Sequence, residues 1–445
     1  MKRKILITCF HPIISRNILS TDIIPILLSS GHEMKITIVV EEHKKEFFKK
    51  RFEKGMVSVV SIPRVHTKSG LFFKRISRSM LDTETTRLRA KTKLIREKKH
   101  LYYTTAVFLF WLGHFKAVRS FLRTADQQFN SRRHIQKIFK EVRPDMIFST
   151  DTQLEQDVVF IEEAKARNIS VFGKVRSWDN LSQWGFIRSL PDKLIVQSEE
   201  LKREAILWHD MPEKDIAVTG VPHYDKYIDP VLKKKGDLLK EFDLDETKPL
   251  IFYAPLADFR IPNNDADQYI LEILSALDAN IWVRFPPNDD VTIGDFKPPK
   301  NMIFDRPGKE TGSGRAIDRD MAEEDDEKLR TVLSLCDVVV CGPSSIAIDA
   351  AVFDKPIIMV NFSKTERTYW DGVVEYDFTH ISKLLSVGGV RVVKSKDDLI
   401  LWIEKYLKDP SLDKEGRERL RTLECYKIDG QSSQRTVNFL LSEMI

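Results

Sequence analysis

The chain has 445 residues, 42% of them hydrophobic, and a formal net charge of +5. That length exceeds what one core usually holds, and the composition is that of a soluble globular protein, so two α/β domains are expected. Four cysteines (Cys9, Cys336, Cys341, Cys425) form no CxxC pair and read as small core residues in a reducing compartment.

The apolar run Ile5–Phe10 is too short for a signal peptide and ends at His11-Pro12. It lies in a buried first strand, Lys4–Phe10, followed by a helix over Asn17–Ser30 and strands at Met34–Val40 and Val57–Ile62. This start resembles an open doubly wound sheet.

From Arg64 to Arg143 the alternation stops. This segment holds 20 Lys and Arg against 5 Asp and Glu, whereas the remainder holds 51 against 61. Helix-period stretches place Leu, Phe and Trp opposite Lys and Arg, which describes a basic helical insertion. Its longest apolar run, Thr104–Gly113, is well short of the ~20 residues a spanning helix needs. Tyr, Phe and Trp interleaved with cations over Leu101–Phe121 favour an anionic membrane surface as partner. Nucleic acid is the less favoured polyanion, and a helical hairpin with a solvated basic face is the plain structural reading. The expected location is cytoplasmic, peripheral at the inner face of the plasma membrane.

Alternation resumes with strands Asp145–Thr150, Ser170–Val175, Lys193–Gln197 and Asp215–Thr219, and with helices Asp157–Arg167 and Leu201–Trp208. The first domain is therefore expected over residues 1–230. Residues 232–245 read as a charged linker. A second domain, 246–430, carries strands Pro249–Ala254, Ile281–Phe285 and Met302–Asp305 and a helix at Tyr269–Leu277. Helices are expected at Leu399–Leu407 and Ser433–Leu441, the latter within a C-terminal segment 431–445 that packs back on the first domain.

The most informative stretch is Cys336–Phe362. Strand Val338–Cys341, a Gly-Pro-Ser-Ser turn, a helix Ser345–Asp354 and strand Pro356–Asn361 make a βαβ unit. Gly342, Ser344 as N-cap, and Ser345 would present backbone amides to a phosphate above the strand ends. Asp349, one helical turn after Ser345, would accept hydrogen bonds from a ribose. A capped helix with an acid in its first turns is the plain alternative.

Five patterns carry a family resemblance: Tyr253-Ala-Pro255 followed by Arg260; Arg176-Ser-Trp178-Asp179-Asn180; Val218-Thr-Gly220-Val-Pro222; Gly342-Pro-Ser344-Ser345 with Asp349; and Asp429-Gly430-Gln-Ser-Ser433. From about Asp145 onward the chain resembles GT-B glycosyltransferases. Within them it is similar to the bacterial CDP-glycerol glycerophosphotransferase and surface-polysaccharide transferase group. That resemblance implies two Rossmann-like domains facing a cleft, with a nucleotide-activated donor, bound as substrate and not as cofactor, on the C-terminal domain. Arg260 and Arg284, at or just past strand ends, would fork onto its diphosphate. A surface or interdomain salt bridge is the plain alternative for each. The chain departs from the group where a His-Pro pair is usual: it has Arg284-Phe285-Pro286-Pro287, which weighs against phosphoglycerol as the transferred group.

An inverting transfer needs a base from the N-terminal domain. His11, Asp179 and Asp151 stand at strand tips there, with a turn histidine, an Asx turn and a helix N-cap as their structural alternatives. Trp178 beside Asp179 would stack on a sugar. Gly308–Gly314 is not a Walker loop and reads as a mobile loop continuing to Glu324. The acidic run Glu323–Glu327 reads as a dipole-favoured first turn, so no metal is assigned.

The expectation is a metal-independent transferase that moves a sugar from a nucleotide-activated donor to a glycan or lipid-linked glycan during bacterial surface polysaccharide synthesis. Phosphoglycerol transfer from a CDP donor, nucleotide-sugar epimerisation, and a non-catalytic membrane or nucleic-acid scaffold are the alternatives.

Overall fold

The computed structural model describes residues 3–229, 231, 233–311 and 318–442. The chain divides into two compact units, one of residues 1–226, 311–313 and 425–445, the other of residues 227–310 and 314–424.

The first unit is built on seven strands: β1 (Arg3–Cys9), β2 (Met34–Glu41), β3 (Val57–Ile62), β4 (Met146–Ser149), β5 (Ser170–Lys174), β6 (Lys193–Val196) and β7 (Ile216–Val218). All pair in parallel, in the order β3-β2-β1-β4-β5-β6-β7. The order reverses between β1 and β4, which places the crevice of an open α/β sheet above their carboxyl ends. Apolar strand residues on one face pack against Ile18, Leu19, Leu27, Val437 and Leu440, and those on the other against Ile135, Phe139 and Phe160. The helix Ser432–Leu441 thus belongs to the first unit, its Phe439 ring 5.6 Å from Phe172.

The helix expected over Asn17–Ser30 is broken in two. A π-helix covers Ser15–Leu19 and an α-helix Ile23–Ser29. Between them the Thr21 hydroxyl donates to the Ile18 carbonyl at 2.6 Å, which closes the first piece. A helix at Lys45–Phe52, with Phe48 buried, was not expected among so many lysines. Between β3 and β4 the chain forms five helices: Lys68–Met80, Glu84–Glu97, His100–Gly113, Lys116–Phe129 and Gln136–Val142.

The second unit holds β8 (Leu250–Ala254), β9 (Asn280–Arg284), β10 (Met302–Asp305), β11 (Val338–Cys341), β12 (Ile357–Val360) and β13 (Arg391–Val393). These are again all parallel, in the order β10-β9-β8-β11-β12-β13, with the reversal between β8 and β11. The stretch read as a linker contains a helix, Lys235–Glu241, that buries Leu238 and Leu239 and lies in the second unit. Leu232, and Gly312 to Gly314 of the glycine-rich loop, fall outside the described residues. The acidic run opens a helix, Glu323–Leu335. Among the described residues no helix is long and apolar enough to cross a membrane.

Candidate functional site

In the second unit the loop after β8 is fixed from below by a residue the sequence did not single out. Asp267 is fully buried. Its carboxylate accepts hydrogen bonds from the Tyr253 hydroxyl (2.6 Å), the Leu256 amide (2.7 Å), the Ala257 amide (3.2 Å) and the Asn264 side chain (2.7 Å). Burial pushes this carboxyl above its ordinary range against the pull of those donors. The network holds Ala257 at φ 71°, a left-handed conformation unusual for alanine. It thereby aims the Tyr253-Ala-Pro255 segment across the switch point.

On the other side of the switch point, the turn after β11 meets this loop at Gly342, where a Cβ would lie 2.6 Å from the Leu256 side chain. The helix that follows is shorter than expected, Ile346–Val352, and Ser345, not Ser344, takes the N-cap position without a side-chain cap bond. Ser344 is half-buried and Ser345 exposed. Asp349 is only 3% exposed, because every residue of this helix from Ala347 on turns into the core.

The two arginines differ. Arg284 on β9 is ion-paired with Asp305, its register neighbour on β10, and donates to the Asp325 carbonyl at 2.8 Å; its side chain is 5% exposed. Both ends of its fork are thus engaged inside the sheet edge, which is the salt-bridge alternative. Arg260 is ion-paired with the half-buried Glu375, and its guanidinium lies 4.6 Å over the largely exposed Phe259 ring.

The neighbours of that pair, Ile261 and Tyr376, line a cavity of about 770 Å³ together with Asn361 past β12 and Lys394 past β13. Lys364 also reaches it. Arg367 ties its wall to the β8 loop through the Pro262 and Asn263 carbonyls (2.8 and 2.7 Å) and Asp265 (2.7 Å). The signal for this wall in the sequence was the run of Asn, Ser, Lys and Arg that follows directly on a buried strand.

The strand tips of the first unit bring His11, Asp151 and Arg176 close together. Asp151 is buried, accepts the Gln153 and Leu154 amides (2.7 and 3.2 Å) and is ion-paired with Arg176. Both its oxygens serve the local structure, but in a turn ahead of the helix Glu155–Ala166, whose N-cap position falls to Leu154 and not to Asp151. His11 accepts the Ile13 amide at Nδ1 (3.3 Å), so the neutral ring carries its hydrogen on Nε2 and presents a donor. Burial holds its pKa well below the usual value, helped by the charges of Arg176 and Lys44.

Asp179 is half-buried, and its carboxylate accepts only the Gln183 side-chain amide among the described contacts. Trp178 is buried, so the sugar-stacking role does not fit it. One group was overlooked. Lys174, at the carboxyl end of β5, is buried with no hydrogen-bond partner for Nζ, and burial lowers its pKa to about 8.

A family model described as CDP-glycerol:poly(glycerophosphate) glycerophosphotransferase matches residues 173–442. No curated protein matches the sequence. Solved structures share the fold over nearly the whole chain. A UDP-GlcNAc 2-epimerase from Neisseria meningitidis bound to UDP-GlcNAc is 13% identical at TM-score 0.55, covering 98% of this chain and 99% of its own. The UDP-GlcNAc 2-epimerase of Methanocaldococcus jannaschii is 14% identical at TM-score 0.54, covering 99% of each. A glycosyltransferase from Rickettsia africae is 11% identical at TM-score 0.51, covering 100% and 98%. Identities this low speak for the fold alone, two parallel-sheet Rossmann-like domains of the GT-B class.

Proposed function

Since the chain belongs to the CDP-glycerol:poly(glycerophosphate) glycerophosphotransferase family, we propose that it transfers a group from a nucleotide-activated donor to a hydroxyl of a glycan or lipid-linked glycan in surface polysaccharide synthesis. The observation that carries the donor side is the cavity at the carboxyl ends of β12 and β13, with lysines in its wall and the Arg260–Glu375 pair adjoining its lining residues Ile261 and Tyr376 in sequence. A diphosphate entering there would compete with Glu375 for the Arg260 guanidinium, a charge-assisted and geometrically matched partner. Phe259 beside it offers a face on which a base could stack.

Sugar is the preferred cargo. In that reaction the acceptor oxygen attacks the anomeric carbon, the bond to the diphosphate breaks, and the acceptor proton passes to a base. Of the candidate acids Asp151 and Asp179, Asp179 is the one whose carboxylate keeps an oxygen without a described donor, whereas His11 with its hydrogen on Nε2 would donate. The charge on the departing diphosphate would be met by Arg260 and the cavity lysines, so the step is read as metal-independent.

Phosphoglycerol transfer is the second reading, favoured by the name of the family itself. Calorimetric titration with CDP-glycerol beside a panel of nucleotide sugars separates the two. Binding and turnover of CDP-glycerol alone would replace the sugar reading, and failure of every nucleotide-activated donor would overturn both.

A further inference from the structure

Eleven of the twenty large hydrophobic side chains that stand exposed on the described residues fall between Leu71 and Phe129. Their centre is the helix His100–Gly113, which contains no Asp, Glu, Lys or Arg. Its inner side is fixed. Ala106 and Phe110 are buried, and Gly113 passes so close to the end of the helix Lys68–Met80 that a Cβ would lie 1.8 Å from the Met80 carbonyl oxygen.

Its outer side meets solvent through Leu101 (81% exposed), Phe108 (57%) and Trp111 (56%), and Phe115 continues the stripe. The Trp111 ring sits 6.0 Å from Phe108 and 5.1 Å from Phe115. A helix that is apolar on every side needs a cover on every side. At fourteen residues, about 21 Å, it is too short to span a bilayer.

Exposed Lys98 and Lys99 stand just before this helix and exposed Lys116 just after it. Exposed Lys91 and Arg75 lie on neighbouring helices. A second copy docked on the same face would set these cations against each other. An anionic lipid surface takes both the aromatic stripe and the charges. We propose that the helix His100–Gly113 and Phe115 lie in the interface of an anionic bilayer, with Phe108, Trp111 and Phe115 at the acyl boundary and the flanking lysines among the headgroups.

This deepens the transferase reading by stating where a lipid-linked acceptor is met, but it rests on exposure and charge alone and is measured without turnover. The test is flotation of the full chain with phosphatidylcholine vesicles and with vesicles containing about a third phosphatidylglycerol, at about 0.1 M salt. Wild type should float with the anionic vesicles. The combined Phe108→Ser, Trp111→Ser and Phe115→Ser variant should lose at least about tenfold in partitioning. Each of Lys98→Glu, Lys99→Glu and Lys116→Glu should lose about fivefold or more. Leu207→Ser, on an exposed leucine (60%) outside the stripe, should change nothing.

These side chains face solvent, so thermal melts should match wild type. Quenching by brominated lipid that disappears in Trp111→Phe gives a second readout. No flotation of wild type, or flotation of the triple-serine variant equal to wild type, overturns the proposal. So does a wild-type dimer that the triple-serine variant turns into a monomer without any vesicle binding.

Discussion

A Cβ on Gly342 would stand 2.6 Å from the Leu256 side chain and 3.3 Å from the Leu256 Cα. The two loops that flank the switch point of the second sheet therefore touch where the absence of a Cβ leaves room for the Leu256 side chain. Gly342→Ala should cost about 1–3 kcal/mol, the usual range for forcing an extra carbon into a packed site. Pairing it with Leu256→Ala should return part of that loss, because the nearest clash is with a side chain. Chemical denaturation of both single variants and the double variant measures the coupling. Strictly additive losses would show that the contact is not what sets the residue.

Asp267 should matter more than any one of its donors. Tyr253→Phe removes one hydrogen bond and should cost about 1 kcal/mol. Asp267→Ala strands the buried Leu256 and Ala257 amides and should cost about 3 kcal/mol or more. Equal losses in the two variants would mean that the network is not centred on the carboxylate.

The first unit carries an alkaline liability. Glu162 and Asp126 share a buried cluster with Arg188 and Glu155; Asn130 bonds Glu162 at 3.2 Å and Arg188 bonds Asp126 at 2.8 Å. Burial, then the charge of Asp126, pushes Glu162 up to about 8. Burial also raises Asp126 to about 6 against the opposing charge of Arg188. Acids whose pKa is higher in the fold than in the unfolded chain stabilise the fold when protonated. That stability is full below their ordinary pKa and is lost as pH rises through about 6 and then about 8. Urea melts at acidic, neutral and alkaline pH should show this fall. Glu162→Gln should flatten it on the alkaline side, and an unchanged slope would count against the shift.

Lys174 makes the opposite prediction at neutral pH. An ammonium buried without a partner costs stability until it loses its proton, so Lys174→Met should raise the melting temperature. A lower melting temperature would reveal a partner for the charge. If turnover disappears while stability rises, the lysine serves the acceptor.

The sheets were readable because their strands are continuous apolar runs. The strands at Val57–Ile62, Met302–Asp305 and Val338–Cys341 end where the sequence placed them. Local side-chain chemistry hid the rest. Thr21 splits one helix by bonding back to Ile18, and the helix Lys45–Phe52 looks like a charged loop because only Phe48 of its eight residues is buried. Asp267 was invisible since two of its four partners are backbone amides, and the Tyr253 hydroxyl reaches it only across the fold. Arg284 looked free at a strand end because its partner, Asp305, becomes adjacent only through the β9–β10 register. Lys174 did leave a trace, a lysine on the same inward parity as Phe172 in a buried strand.

The two arginines give the most direct test of the donor assignment. Titration calorimetry with the donor that wild type turns over should show at least about a tenfold loss of affinity in Arg260→Ala and in Lys394→Glu, with melting temperatures preserved. Arg284→Ala should instead lower the melting temperature, because the buried Asp305 would keep only the more distant Lys328 ammonium (3.6 Å) and the Trp282 indole N–H (3.4 Å). Undiminished donor affinity in both Arg260→Ala and Lys394→Glu would contradict the placement of the nucleotide at the carboxyl ends of β8, β12 and β13.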